Sequence, residues 1–141
     1  MKKGQISLDL MLTLIIALII IASFSYIITN YNSGKEKMLT ENQLKMTSSK
    51  TAALITTTQA LYDTNFAISE KISKIKFVDS NGNNLQIYPK ITINSDKNTL
   101  SASIQLNGET ISYDNNFYAS GGTIIDTAEV ETSGVLVIKN E

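Results

Sequence analysis

The 141-residue chain contains no cysteine, histidine, tryptophan or arginine, and a single proline. Without cysteine no disulfide framework exists, and without cysteine or histidine a structural zinc site lacks its usual ligands. The same absences remove every Ser–His and Cys–His nucleophile pair. All twelve basic residues are lysines, set against thirteen acidic ones for a net charge of −1. A nearly neutral chain without arginine has no basic stripe for a phosphate backbone, so no nucleic-acid partner is expected. No metal, cofactor or enzymatic activity is expected either, since no nucleophile–base constellation or pocket signature appears. The length allows one domain plus an appendage, too little for two cores of ordinary size.

What the chain does have is a long uncharged run. Leu10–Gly34 carries no charge, and Leu10–Ile28 is dominated by Leu and Ile. Nineteen residues at ~1.5 Å rise per residue come close to the ~30 Å hydrocarbon core of a bilayer. Lys2 and Lys3 precede the run, and lysines there hold the N-terminus in the cytoplasm, giving an N-in, C-out orientation.

Three readings of this segment compete. A secretory signal peptide has a shorter apolar run of ~7–15 residues and a small-x-small site, for which Ser23-Phe24-Ser25 is a poor candidate. An uncleaved anchor fits the length better. Neither accounts for Asp9, a carboxylate at the edge of an apolar helix, where ionisable groups tend to be functional. The plain alternative places Asp9 at headgroup level near Lys3, favoured by the helix dipole. The third reading is cleavage between Gly4 and Gln5. Gln5 then carries a free ammonium, and Asp9 is its i+4 neighbour. The amine of one subunit and the carboxylate of another neutralise each other when two such helices pack side by side.

Lys3-Gly4-Gln5-Ile6-Ser7-Leu8-Asp9 followed by the apolar run resembles the class III signal peptide of archaeal type IV pilin-like proteins. In that family the Gly is followed by Gln-x-Ser-x-Glu, then three residues, then Leu. Here Gln5 and Ser7 match, Asp9 stands where Glu is usual, and Thr13 stands where Leu is expected, between Leu12 and Leu14. The resemblance covers roughly residues 1–30. It implies that residues 1–4 are a cleaved leader with Lys2 and Lys3 as its charges, and that Gly4–Gln5 is the cleavage junction. Gln5 and Asp9 become the charge-pairing residues of assembly. Residues 5–34 form the transmembrane and filament-core helix, with Leu10, Leu12, Leu14, Ile16, Ile20, Phe24 and Ile28 along it. The implied partners are a prepilin peptidase, the membrane before assembly, and other copies of itself or related pilin subunits in a helical filament. The implied location is the membrane for the precursor and the surface of an archaeal cell for the filament. A non-polymerising, membrane-anchored binding module and a minor pilin-like component of a secretion or uptake machine stay open beside this reading.

Beyond Gly34 an extracellular head over 35–141 is expected. Asn30–Gly34 interrupts the apolar run and is expected to kink or loosen the helix, since Asn and Gly are poor helix residues. Lys35–Ser73 contains no Gly or Pro, and Leu54, Leu61, Ile68 and Ile75 recur every seven residues, with Ala53, Ala60 and Ala67 beside the first three. Met46 extends the stripe. This predicts an amphipathic helix over 35–73, packed on a sheet in preference to a coiled coil. From 74 to 141 the period changes to two, around Ile75–Phe77, Leu85–Ile87, Ile91–Ile93, Leu100–Leu106, Thr110–Tyr113, Thr123–Ile125 and Val135–Ile138. Turns are expected at Asp79–Asn84, Asn94–Asn98, Asn107-Gly108 and Gly121-Gly122, and Pro89 marks an edge or bulge. The sum is an α+β fold: a long N-terminal helix, apolar then amphipathic, packed on one small antiparallel sheet with one apolar face, as in type IV pilins.

Weaker signals are read as structure. Asp79-x-Asn81-Gly82 lacks the sixth-position Gly and twelfth-position Glu of a calcium loop and reads as a turn. Asp126, Glu129 and Glu131 read as a solvated face. No Asn-x-Ser/Thr sequon occurs. Tyr113, Phe117 and Tyr118 are candidates for core or for an adhesive patch.

Overall fold

A computed structural model describes residues 2–61, 64–79, 82–106, 108–119 and 123–140, with side chains for all of these except residues 2–7, 59 and 140. Helix α1 runs from Lys2 to Thr58, 57 residues without a break. Asn30–Gly34, expected to interrupt it, stays helical throughout. The chain divides into two compact units, Met1–Lys35 and Glu36–Glu141.

In the second unit the described strands are β1 (Phe66–Lys71), β2 (Ile75–Val78), β3 (Asn84–Ile87), β4 (Lys90–Asn94), β5 (Thr99–Leu106), β6 (Glu109–Asn116), β7 (Thr123–Asp126) and β8 (Val135–Asn140). A one-turn helix, α2 (Val130–Ser133), precedes β8. The fold is α+β, with the C-terminal part of α1 packed on small antiparallel sheets. The single sheet expected from the alternation is instead three sheets, ordered β1-β8-β7, β2-β3 and β4-β5-β6. Pro89, which has no N–H to give to a ladder, lies between β3 and β4, each an outer strand of its own sheet. The expected β5–β6 hairpin is present, Leu106 facing Glu109. Gly108 takes φ +83° there, a conformation glycine adopts without steric cost. Asn107, Ser80, Asn81 and Gly121-Gly122 lie outside the described residues.

The helix predicted over 35–73 ends at Thr58, and residues 66–71 of that span are strand. Three consecutive threonines close the helix. Thr57 Oγ1 donates to the Ala53 carbonyl at 2.7 Å and Thr58 Oγ1 to that of Ile55 at 2.7 Å. Such side-chain bonds compete with the helical ladder, and β-branched residues crowd its last turn. A 3₁₀ turn, Gln59–Leu61, follows, and Thr64 then donates from both N and Oγ1 to the Leu61 carbonyl. The seven-residue stripe is corrected with it. Leu61 and Met46 are exposed and Ile68 lies in β1 opposite Ile138. The face that is buried reads Thr40, Leu44, Ser48, Thr51, Ala52, Ile55, Thr58.

That face spans two apolar clusters. Leu44 joins Ile75, Phe77, Ala102, Ile104, Leu106 and Ile111. Ala52 and Ile55 join Ile72, Ile91, Leu100, Phe117, Val130, Leu136 and Ile138. Strand β5 serves both, with its alternate residues Leu100, Ala102, Ile104 and Leu106 buried as the alternation predicts. Phe117 therefore belongs to the core, while Tyr118 is exposed and Tyr113 is half-buried beneath Lys45 Nζ, 5.8 Å from its ring centroid. Polar contacts from α1 finish the seam. Gln43 accepts from the Lys76 amide at 2.9 Å and donates to its carbonyl at 2.8 Å. Glu36 accepts from the Val78 amide at 3.2 Å. These side chains satisfy the outer edge of β2 as a neighbouring strand would.

Gly134 closes α2 in the left-handed region, at φ +73°, and donates to the Val130 carbonyl. A Cβ added there would collide with the ring of Tyr88. Gly134→Ala therefore meets both backbone strain and a clash, and is expected to cost about 1–3 kcal/mol in chemical denaturation.

Candidate assembly helix

The first unit is helix alone. From Leu8 to Lys35 every described residue is exposed. Leu10, Leu12, Leu14, Ile16, Ile20, Phe24 and Ile28 are all between 49% and 67% exposed. At 100° per residue these positions take up somewhat more than half of the circumference, and Met11, Ile15, Leu18 and Ile19, also exposed, take up the rest. A helix apolar all round is stable only in lipid or among other helices. Covering more than a dozen large apolar side chains is worth on the order of 20 kcal/mol relative to water. The helix is long and apolar enough to cross a membrane, and at the N-terminus such a segment marks an anchor or a signal.

Its hydroxyls do not oppose that role. Thr13 donates to the Asp9 carbonyl (2.8 Å), Ser23 to that of Ile19 (2.8 Å), Ser25 to that of Ile21 (3.0 Å) and Thr29 to that of Ser25 (2.9 Å). Each is satisfied by its own helix, four residues back, so none requires an outside partner in a medium without water. Their recurrence inside an apolar helix is the sequence signal that would have revealed this.

Lys2, Lys3, Gly4 and Gln5 lie in the first turns of α1, and their side chains fall outside the described residues. Asp9 is one turn further on, exposed, with no ion pair among the described residues. Positions 5 and 9 share one face of the helix by its geometry. The backbone thus places the expected charge-pairing residues in line and keeps the apolar positions uncovered.

The weaker sequence signals resolve into local structure. Asp79 accepts from the Asn83 amide at 2.8 Å and from Asn83 Nδ2 at 3.1 Å, which makes its segment a turn. Asp126 accepts from the Ala128 amide at 2.9 Å. Glu131 is 3.6 Å from Lys90 Nζ. Lys37, bonded to Glu109 at 2.5 Å, is the one described group with a shifted pKa. The hydrogen bond and then the charge of Glu109 raise it above its ordinary 10.5. On the lysine's side this contribution is complete below pH 10.5 and fades as the pH climbs through the raised value.

A long apolar N-terminal helix followed by antiparallel sheets is a pilin-like architecture. No protein-family model, curated protein or solved structure matches the chain.

Proposed function

We propose that the chain is a structural subunit of an archaeal type IV pilus-like surface filament used for attachment. The precursor sits in the membrane, N-in and C-out, until a prepilin peptidase removes Met1–Gly4. The apolar helix then leaves the lipid for a bundle of like helices, with Asp9 facing the new ammonium of Gln5 on a neighbour. The head faces outward, and the role involves no catalysis and no cofactor. The observation that supports this most is the complete exposure of an all-round apolar helix that carries one acid. Exchanging lipid for protein contact yields little per apolar area, so close packing and the charge pair must select the register. A heterologous contact that does not close propagates into a filament.

Co-expression with a prepilin peptidase tests the first step. Intact-mass measurement is expected to show loss of the four-residue leader, and substitution of Gly4 by a bulky residue is expected to block it. A chain unchanged in mass by an active peptidase would speak for a plain membrane-anchored binding module.

A further inference from the structure

A quarter of the chain's lysines stand close together on the head. Lys71, Lys74 and Lys76 fall within six positions, and residues 71–78 contain no acid, although the chain as a whole carries −1. Lys71 ends β1, Lys76 lies in β2, and Lys74 is in the connection between them. All three are exposed and line one hollow of about 380 Å³ together with Ser73, Gln86 and Tyr88. None of the three forms an ion pair among the described residues. Two acids come near without cancelling them. Glu70 is held by Lys50 at 2.6 Å, and Glu36, which shares a neighbouring hollow with Lys76, accepts from the Val78 amide at 3.2 Å.

The core beneath holds this hollow in shape. Ile72 and Ile75, on either side of Ser73 and Lys74, are buried in the two apolar clusters, and the Ile72 amide donates to the Gly134 carbonyl at 2.7 Å. Tyr88 is half-buried, with Lys74 Nζ 5.0 Å from its ring centroid, within cation–π range. Three cations are thus carried on a fixed backbone. Lysines are point charges without the fork that grips a single carboxylate or phosphate, so a row of them suits a polymer of spaced anions better than one small ion. The Ser73 hydroxyl, the Gln86 amide and the Tyr88 phenol add donors and acceptors that sugar hydroxyls can match. Lys76 and Gln86 pair across the β2–β3 ladder and share one face, whereas exposed Leu85 and Ile87 lie on the other. A bilayer surface takes charge together with apolar side chains that enter it, so the lysine face fits a polymer in water.

We propose that this hollow binds an acidic polysaccharide, a chain of sugars bearing carboxylates, on the surface to which the filament attaches. The inference rests on the attachment role proposed above and gives it a partner class. Each contact is weak, since exposed charge pairs contribute little singly and are screened by salt. A filament repeats the hollow along its length and the polymer repeats the anion, so many weak contacts add up to firm attachment.

Full-length protein in phosphatidylcholine nanodiscs is passed over surfaces coated with polygalacturonate, with neutral dextran or with a phosphatidylglycerol bilayer. Capture on polygalacturonate is expected, with little on the other two, and it should fall as salt is raised. Lys71→Gln, Lys74→Gln and Lys76→Gln together should weaken it about tenfold, as the loss of three exposed charge pairs allows. Lys35→Gln, Lys45→Gln and Lys97→Gln together remove the same charge from exposed positions outside the hollow, and should change capture by less than about twofold. Circular dichroism of each variant checks that the head is folded. No capture of folded protein on polygalacturonate overturns the proposal. So does an equal loss in the two triple variants, which would mark a general effect of charge, or equal capture on dextran, or stronger capture on the lipid. The measurement needs no filament, so the filament reading is scored separately. A chain that keeps its leader yet is captured retains this site and loses that reading, and a trimmed, filament-forming chain that is not captured does the reverse.

Discussion

Asp9→Ala is expected to leave leader removal largely intact and to cut incorporation into filaments by roughly a hundredfold. The magnitude follows from the cost of an acid drawn toward the bilayer centre, about 2.5–3.5 kcal/mol, where 1.4 kcal/mol is tenfold. In the assembly proposed here that cost is relieved by an ammonium on a neighbouring helix. Alanine removes both the penalty that pushes the helix out of lipid and the attraction that sets its register. Asp9→Glu, one methylene longer with the same charge, should assemble at close to the normal level. Quantifying filament-bound against membrane-bound protein for the two variants measures the effect. Normal assembly of Asp9→Ala would show that packing alone sets the register.

The second large effect lies on the buried face of α1. Leu44 is fully buried among Ile75, Phe77, Ala102, Ile104 and Leu106. Leu44→Ala opens a cavity there and should cost about 2–5 kcal/mol, a large part of the ~5–15 kcal/mol that holds an ordinary domain together. One helical turn away Ser48 is equally buried, and its hydroxyl, like that of Thr40, has no hydrogen-bond partner among the described residues. Ser48→Ala removes that unpaired group and raises helix propensity, so it should be neutral or stabilising by about 1 kcal/mol. Urea melts of the full-length protein in detergent, following the head, distinguish the two. Similar losses for both would mean that the seam tolerates no change of any kind.

The alternation in β5, with Leu100, Ala102, Ile104 and Leu106 inward, was legible because one buried face imposes a period of two on the strand. The apolar run of α1 was legible for a comparable reason, since an uncharged apolar stretch of that length matches the thickness of a bilayer core. The helix end was not. Residues 62–73 lack Gly and Pro, and Ala67-Ile68 continues the seven-residue spacing of Ala53-Leu54 and Ala60-Leu61, so local preference pointed to helix. The pairing of Phe66–Lys71 with Val135–Asn140 overrides it, and that pairing depends on residues some seventy positions away. The true buried face escaped for another reason: four of its seven residues are Thr or Ser, which a search for apolar stripes discards. The division into three sheets was equally hidden, because alternation tells which face is buried and not which strands are neighbours. Of the assembly helix, the positions of Gln5 and Asp9 on one face followed from spacing alone, whereas the internal bonding of its hydroxyls needed coordinates.

The central claim is that this greasy helix is trimmed to a new amino terminus and then shared among copies. Filaments sheared from the native cell surface, imaged by electron microscopy and analysed by terminal mass spectrometry, test it most directly. The account predicts this polypeptide as a repeating component whose first residue is Gln5. Native protein still bearing Met1–Gly4 and dispersed as single copies in the membrane would contradict it.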